Sequence, residues 1–108
     1  MDSFQSFIKE YGGDPDFKAL ILDTISQYFP EHLSKLKKFF SEGDYISLRK
    51  QAHAMKGSAA SLGMKEIAEY ALIIQTLEVD DAVVYEQQIS KIEQELSNAE
   101  KILADSGL

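Results

Sequence analysis

The segment HAMKGSAASLG, residues 53–63, is the most informative stretch of this chain. In an α-helix, successive side chains lie about 100° apart around the axis, so the faces of this segment and of the residues before it can be assigned. His53 lies about 140° from the centre of the apolar stripe and is therefore predicted to face solvent. The stripe is roughly 80° wide and is formed by Leu48, Ala52, Met55, Ala59 and Leu62.

The predicted surface around His53 carries small and basic side chains. Gly57 lies about 180° from the stripe centre and Ala60 about 120°, so both share the outward face. A glycine inside a helix costs about 0.5–1 kcal/mol relative to alanine, and a glycine needed for packing should face the core. Lys56 and Arg49, three residues after and four residues before His53, can supply positive charge to an anion held there. A lone helical histidine is usually an ordinary residue, but this combination favours a functional one.

The pattern H-x-x-K-G-S, which starts at His53 and has a glycine ten residues after the histidine, resembles a known family. It is typical of the histidine-containing phosphotransfer (HPt) domains of two-component phosphorelays. Residues 29–52, FPEHLSKLKKFFSEGDYISLRKQA, resemble that family's proline-kinked helix, Gly-Asp turn and start of the histidine helix. Residues 71–78, ALIIQTLE, resemble the following helix. The resemblance covers about residues 17–78 and departs from the family at Ser61, where many members have asparagine.

The resemblance implies a phosphorelay intermediate. His53 would accept a phosphoryl group from the phospho-aspartate of a response-regulator receiver domain and pass it to the aspartate of another receiver. A hybrid sensor histidine kinase is a further expected partner, and direct phosphorylation by a kinase stays open beside transfer from a receiver. The domain would be a carrier without kinase activity of its own and without a cofactor, because magnesium is expected on the receiver. The other expected roles are phosphoryl stabilisation for Lys56, ring orientation for Gln75, partner access for Gly57 and Ala60, and docking for Arg49, Lys50 and Ser61.

Length and composition place the chain among soluble globular domains. Its 108 residues predict one domain over 1–108, which is large enough to bury a core without disulfides or structural metal. The sequence contains no cysteine, which excludes thiolate metal sites and fits a reducing compartment. Its uncharged runs are far shorter than the roughly 20 residues that span a bilayer, and the first residues lack an export signal. A cytoplasmic protein without a membrane segment is therefore expected.

The charge distribution argues against nucleic acid as a partner. The formal net charge is −7, whereas phosphate backbones are bound by basic surfaces. Residues 35–56 nevertheless contain six basic and two acidic residues, and residues 66–105 contain two basic and ten acidic ones. The basic residues thus gather near the histidine, where they would steer an acidic partner towards it.

Helical periodicity predicts an all-α chain with short turns. Asp14 and Asp44 are expected to cap the second and third helices, and Gly63 is expected to end the third in a left-handed conformation. Pro30 removes a backbone donor, so a kink or short break is expected there. The predicted helices cover residues 3–11, 15–40, 45–62, 65–77 and 82–104.

Long amphipathic helices joined by short turns bury their stripes by packing as antiparallel neighbours. We therefore expect an up-down antiparallel four-helix bundle with a short N-terminal cap helix. The last helix carries apolar residues at alternating spacings of four and three, which is a heptad-like seam. A monomer is expected, with this seam used inside the bundle.

Other chemistry finds little support in the sequence. No nucleophile turn or phosphate-cradling glycine loop is present. His32 and His53 fall on different predicted helices without paired ligand spacing, so no metal site is expected, and His32 is interpreted as an ordinary surface residue. Asp80 and Asp81 fall in a turn and are interpreted as solvated. The alternatives are a docking or oligomerisation module with an incidental histidine, and an inhibitor that occupies a receiver without exchanging phosphate.

Overall fold

The computed structural model describes residues 3–107, and every regular element in that range is helical. The all-α prediction is confirmed, and the predicted helix ends agree with the observed ones to within two residues. The predicted domain bounds, residues 1 and 108, lie outside the described range. The elements are α1 Ser3–Tyr11, α2 Pro15–Asp23, a π-helical turn Thr24–Tyr28, α3 Phe29–Ser41, α4 Tyr45–Ser61, α5 Lys65–Thr76 and α6 Ala82–Ser106.

The irregularity expected at Pro30 lies in the turn before it. The π-helical turn Thr24–Tyr28 ends where the Phe29 N–H donates to the Thr24 carbonyl, five residues back. Proline has no N–H, so the Ser26 carbonyl has no donor at the usual four-residue spacing. Widening the preceding turn shifts the hydrogen-bond register around this gap, and the backbone continues as helix through the proline.

Side-chain oxygens accept hydrogen bonds from backbone N–H groups at the starts of α4 and α5. The Asp44 carboxylate accepts from the Ser47 N–H at 3.1 Å, as expected for the cap of α4. The start of α5 has no cap of its own, because Met64 makes no side-chain bond there. Instead the hydroxyl of Ser3 accepts from the Lys65 N–H at 3.3 Å and donates to the Glu66 carboxylate at 3.2 Å. The first described residue of α1 therefore caps α5.

Helix α4 packs between α3 and α5, while α6 packs against both α5 and α3. Ser58 donates to the Tyr28 hydroxyl at 2.8 Å across the junction with the π-helical turn that precedes α3. His53 meets Gln75 across the junction of α4 with α5, and the two helices are joined by a short turn, so they run in opposite directions. The largest fully buried side chains are Tyr85, Phe29, Ile21, Ile25, Leu36, Leu48, Met55, Ile67, Ile74 and Ile92.

Helix α1 covers the turn that ends α4. Gly63 has the left-handed φ of +69° that its position after α4 predicts. A Cβ at Gly63 would lie 2.8 Å from the Cβ of Phe7, which is closer than two carbon atoms can approach without a shift. Glycine is therefore required here both by the backbone conformation and by the packing of α1.

We expect Gly63→Ala to lower the free energy of unfolding more than Gly43→Ala. Gly43 has the same φ of +69°, but a Cβ there meets nothing within 4 Å. Its substitution therefore measures backbone strain alone, about 1–2 kcal/mol. Gly63→Ala adds the clash with Phe7, which we expect to cost about 1–3 kcal/mol more. Urea unfolding of both variants checks this, and equal losses would contradict the packing of α1 on the turn.

Candidate functional site

His53 lies on the exposed outer face of α4. All five residues of the predicted apolar stripe are buried, so the orientation predicted for this helix is confirmed. The helix is held by its neighbours on both flanks, because α3 and α5 pack against it. His53 is therefore presented to solvent by a packed helix, and no loop has to order before a partner can reach it.

Gln75 on α5 contacts the imidazole ring of His53. The side-chain nitrogen of Gln75 lies 2.8 Å from Nδ1 of His53, while its Oε1 is buried without a partner. This contact occupies Nδ1 and fixes the ring relative to α5. Nε2 is consequently the ring nitrogen that is available to react with a partner.

The direction of this hydrogen bond decides whether Nε2 can act as a nucleophile. A side-chain amide can present either its NH₂ group or its oxygen to the ring, and the two atoms exchange places by rotation about the last torsion. If Gln75 donates, Nδ1 is bare and the proton of neutral imidazole resides on Nε2. If the Gln75 oxygen accepts from Nδ1–H, Nε2 keeps its lone pair. The second arrangement is the reactive one, and it also gives the buried Oε1 a partner.

Gly57 and Ala60 are small residues, so neither places a bulky side chain on the surface beside His53. Both residues are exposed, and a Cβ built on Gly57 meets nothing within 4 Å. No contact within the described chain therefore requires glycine at this position, although glycine weakens the helix. The other predicted surface residues nearby, Lys50 and Ser61, are also exposed, and the Ser61 hydroxyl donates to the Gly57 carbonyl at 3.0 Å.

Lys56 lies on the flank of α4 that faces α5. It is half-buried, and it lines one wall of a groove of about 410 Å³ between the two helices. Ala60 lies on the same wall, and Leu72 of α5 lies on the other. Lys56 follows His53 by three residues, so the two lie within one turn of α4.

The sequence predicted that Arg49 supplies a free positive charge beside His53. In the structure its guanidinium is paired within the chain. Its Nε donates to the Tyr85 hydroxyl at 3.0 Å, and its guanidinium forms an ion pair with Asp80. Tyr85 in turn donates to Asp80 at 2.6 Å, and its hydrogen bond to Arg49 helps to raise the arginine pKa. Burial, together with the bond to Asp80, raises the pKa of the Tyr85 hydroxyl. Arg49 therefore joins α4 to the turn before α6, and its docking role stays a prediction.

Asp80 and Asp81 lie exposed in that turn, as interpreted, but each also makes specific contacts within the chain. Asp80 is held by Arg49 and Tyr85, and Asp81 caps α6 by accepting from the Val83 and Val84 N–H groups. The cap was not predicted, although an aspartate directly before a helix is the usual signal for one. The sequence gives no sign of the pairing of Asp80 with Arg49, which lies 31 residues away.

His32 is also more enclosed than the ordinary surface residue that was predicted. It is half-buried, its ring centroid lies 4.0 Å from that of Tyr28, and Nδ1 pairs with the side chain of Gln51. Burial, with a contribution from the nearby charge of Lys35, lowers its pKa below the ordinary value. His32 is therefore part of the packing between α3 and α4.

Two kinds of feature are absent from residues 3–107. No helix in that range combines the length and the apolar character needed to cross a membrane. Within the same range, no three His, Cys, Asp or Glu side chains are grouped so that they could hold a metal ion.

A comparison with protein-family models matches residues 21–102 to the Hpt domain, which is well over half of the chain. The chain belongs to the Hpt domain family. No curated protein and no solved structure shows significant similarity to it. Hpt domains are phosphotransfer carriers of two-component signalling that interact with receiver domains. The matched range contains His53, Gln75 and the surface between them, whereas α1 lies outside it.

Proposed function

We propose that this Hpt domain is a phosphorelay intermediate whose phosphorylated residue is His53. It accepts the phosphoryl group from the phospho-aspartate of one receiver domain and passes it to the aspartate of another. The observation that supports this most strongly is the exposed imidazole whose Nδ1 is engaged by Gln75, leaving Nε2 for the partner. The low surface formed by Gly57 and Ala60 beside it supports close approach by a folded domain.

The transfer is a displacement at phosphorus. The lone pair of His53 Nε2 attacks the phosphorus atom in line with the carboxylate oxygen that leaves. An N–P bond forms while the P–O bond of the acyl phosphate breaks, and the electron pair of that bond stays on the partner's aspartate. In this scheme the Gln75 amide is turned so that its oxygen accepts from Nδ1–H, which stabilises the positive charge that develops on the ring. In the reverse direction a receiver aspartate attacks, and the N–P electron pair returns to Nε2.

Lys56 stabilises the phosphoryl group during both directions of transfer. Lys56 follows His53 by three residues on the flank of α4 that faces α5, and from there its ammonium can neutralise charge on the phosphoryl oxygens. Lysine suits this role because its flexible side chain can follow the group as it moves between aspartate and histidine. The chain itself supplies no kinase activity in this scheme, and the magnesium ion belongs to the receiver.

The expected partners are response-regulator receiver domains and a hybrid sensor histidine kinase that carries one. Lys50 and Lys56, which lie on α4 near His53, favour an acidic partner surface against an overall charge of −7. Three other basic residues of this stretch, Lys35, Lys37 and Arg49, are paired with carboxylates of the chain itself. The scaffold is proposed to be a monomeric up-down four-helix bundle in the cytoplasm. The pairwise contacts of α3 with α4, α4 with α5, and α6 with both α5 and α3 support that arrangement.

His53→Gln should abolish phosphorylation, because the variant lacks the attacking nitrogen. Incubation with a phosphate-labelled receiver and magnesium should give wild-type protein an acid-labile, base-stable label, which is the signature of phosphohistidine. The matched control is His32→Gln, since His32 is the other of the two histidines in the chain, and it should retain the label. Acid-labile label on His53→Gln would overturn the assignment. Absence of label on the wild type with several receivers would favour a docking module.

Two substitutions at Gly57 should separate stability from transfer. Gly57→Ala adds a methyl group to open space, so it should raise the free energy of unfolding by about 0.5–1 kcal/mol. Gly57→Gln places a long side chain where the receiver approaches, and it should slow transfer by about tenfold to a hundredfold. Urea unfolding and transfer kinetics on the same samples check both statements, with Ala104→Gln, at an exposed position of α6, as the control. Unchanged transfer to Gly57→Gln would contradict the proposed approach.

A further inference from the structure

Arg49 lies on α4 one helical turn before His53. Residues four apart on a helix are neighbours, with Cβ atoms about 5–6 Å from each other. Helical side chains also lean towards the N-terminus of their helix, so the imidazole of His53 extends over the turn that carries Arg49. A phosphoryl group on Nε2 of His53 would therefore lie within reach of the guanidinium group.

In the structure this guanidinium group is held at the connection between α5 and α6. Its Nε donates to the Tyr85 hydroxyl at 3.0 Å, and the group forms an ion pair with Asp80. A guanidinium presents five N–H donors in a rigid fork, which matches a phosphoryl group as well as it matches a carboxylate. Arg49 thus has one acceptor at Asp80 and would gain a second one on phosphorylation of His53.

The contact with Asp80 can be given up at low cost. The side chain of Arg49 is 34% exposed and that of Asp80 is 49% exposed, and an ion pair between groups so exposed stabilises a protein little. Water can replace the guanidinium at Asp80. Tyr85 is fully buried, but its hydroxyl keeps a partner after Arg49 leaves, because it donates to Asp80 at 2.6 Å. The exchange therefore leaves the Tyr85 hydroxyl hydrogen-bonded.

A phosphoryl group on His53 is the stronger acceptor for Arg49. It carries about two negative charges and three acceptor oxygens, whereas a carboxylate carries one charge and two oxygens. Lys56 approaches this group from the turn after His53 as a point charge, and Arg49 can bind it bidentately from the turn before. The two cations lie on opposite sides of His53 along α4.

We infer that Arg49 exchanges partners, from Asp80 to the phosphoryl group of His53, and that Asp80 is a positioning residue that opposes this exchange. The inference rests on the proposed function of His53. In the unphosphorylated protein Asp80 holds the guanidinium at the start of α6. In the phosphorylated protein Arg49 stabilises the phosphohistidine, while Asp80 competes for the same cation. This competition weakens the hold on the phosphoryl group and so favours its passage to the next receiver.

The first measurement is the equilibrium constant for transfer from a phosphorylated receiver to wild type, Asp80→Asn, Arg49→Gln and the double variant. Asp80→Asn keeps an oxygen that can accept from Tyr85 but removes the charge that holds Arg49. We expect it to shift the equilibrium about twofold to fivefold towards phosphohistidine, which is the range of an exposed ion pair. Arg49→Gln should shift it the other way. In the double variant the gain from Asp80→Asn should vanish, because it acts through Arg49.

Glu93 provides a matched control for Asp80. Its side chain is 53% exposed and forms an ion pair with Lys37, and neither residue lies on α4. Glu93→Gln changes the net charge by the same amount as Asp80→Asn and breaks a comparable ion pair. It should leave the equilibrium constant at the wild-type value. A shift equal to that of Asp80→Asn would indicate net charge alone and would overturn the inference.

A second measurement observes the exchange in the wild type. Arg49 is the only arginine in the sequence, so its Nε–H group gives a single, assignable signal in the ¹H–¹⁵N spectrum. Phosphorylation by phosphoramidate, which needs no receiver, should shift this signal and the carboxyl ¹³C signal of Asp80, because each group loses the other as its partner. Both signals should stay unchanged in His53→Gln. An unchanged Asp80 carboxyl signal in wild-type protein that carries phosphohistidine would overturn the inference.

The outcomes separate this inference from the proposed function. A gain from Asp80→Asn that persists beside Arg49→Gln would indicate direct repulsion between the carboxylate and the phosphoryl group, which overturns the exchange and leaves His53 as the carrier. Failure of the wild type to accept phosphate from receivers and from phosphoramidate would remove both. If a variant does not fold, the spectra of the wild type decide the matter.

Discussion

Burial of the apolar stripe on α4 is the constraint on which the site depends. The five residues of this stripe are buried between α3 and α5, and their burial fixes the rotation of the helix about its axis. With that rotation fixed, His53 can only face outward and Lys56 can only face α5. Gln75 then reaches Nδ1 from the neighbouring helix, and in the proposed function this single hydrogen bond leaves Nε2 as the nitrogen that reacts. The chemistry needs no mobile element of this chain.

Much of this arrangement could be predicted from the sequence because it depends on local rules. Helix ends follow from caps such as Asp44 and from the left-handed Gly63, and these signals act within a few residues. The outward direction of His53 follows from the 3.6-residue period alone. The glycine at 57 indicated a partner surface, because it weakens the helix and faces away from the core, and the open space around it agrees with that interpretation.

The remaining features depend on contacts between segments distant in sequence. Arg49 has a long side chain that could reach solvent, the phosphoryl site or another helix, and only the fold shows that Asp80 and Tyr85 hold it. The enclosure of His32 depends in the same way on the approach of α4. Pro30 predicts a missing hydrogen bond, but it does not predict that a π-helical turn before the proline will accommodate it.

Locating the phosphoryl group on the histidine ring tests most directly whether Nε2 of His53 carries it. The protein would be labelled with ¹⁵N-histidine, phosphorylated by a receiver, and examined by ³¹P–¹⁵N correlated NMR. We predict coupling of phosphorus to Nε2 of His53, since Nδ1 is engaged by Gln75. Phosphorus on Nδ1 of His53, on His32 or on a carboxylate would contradict it.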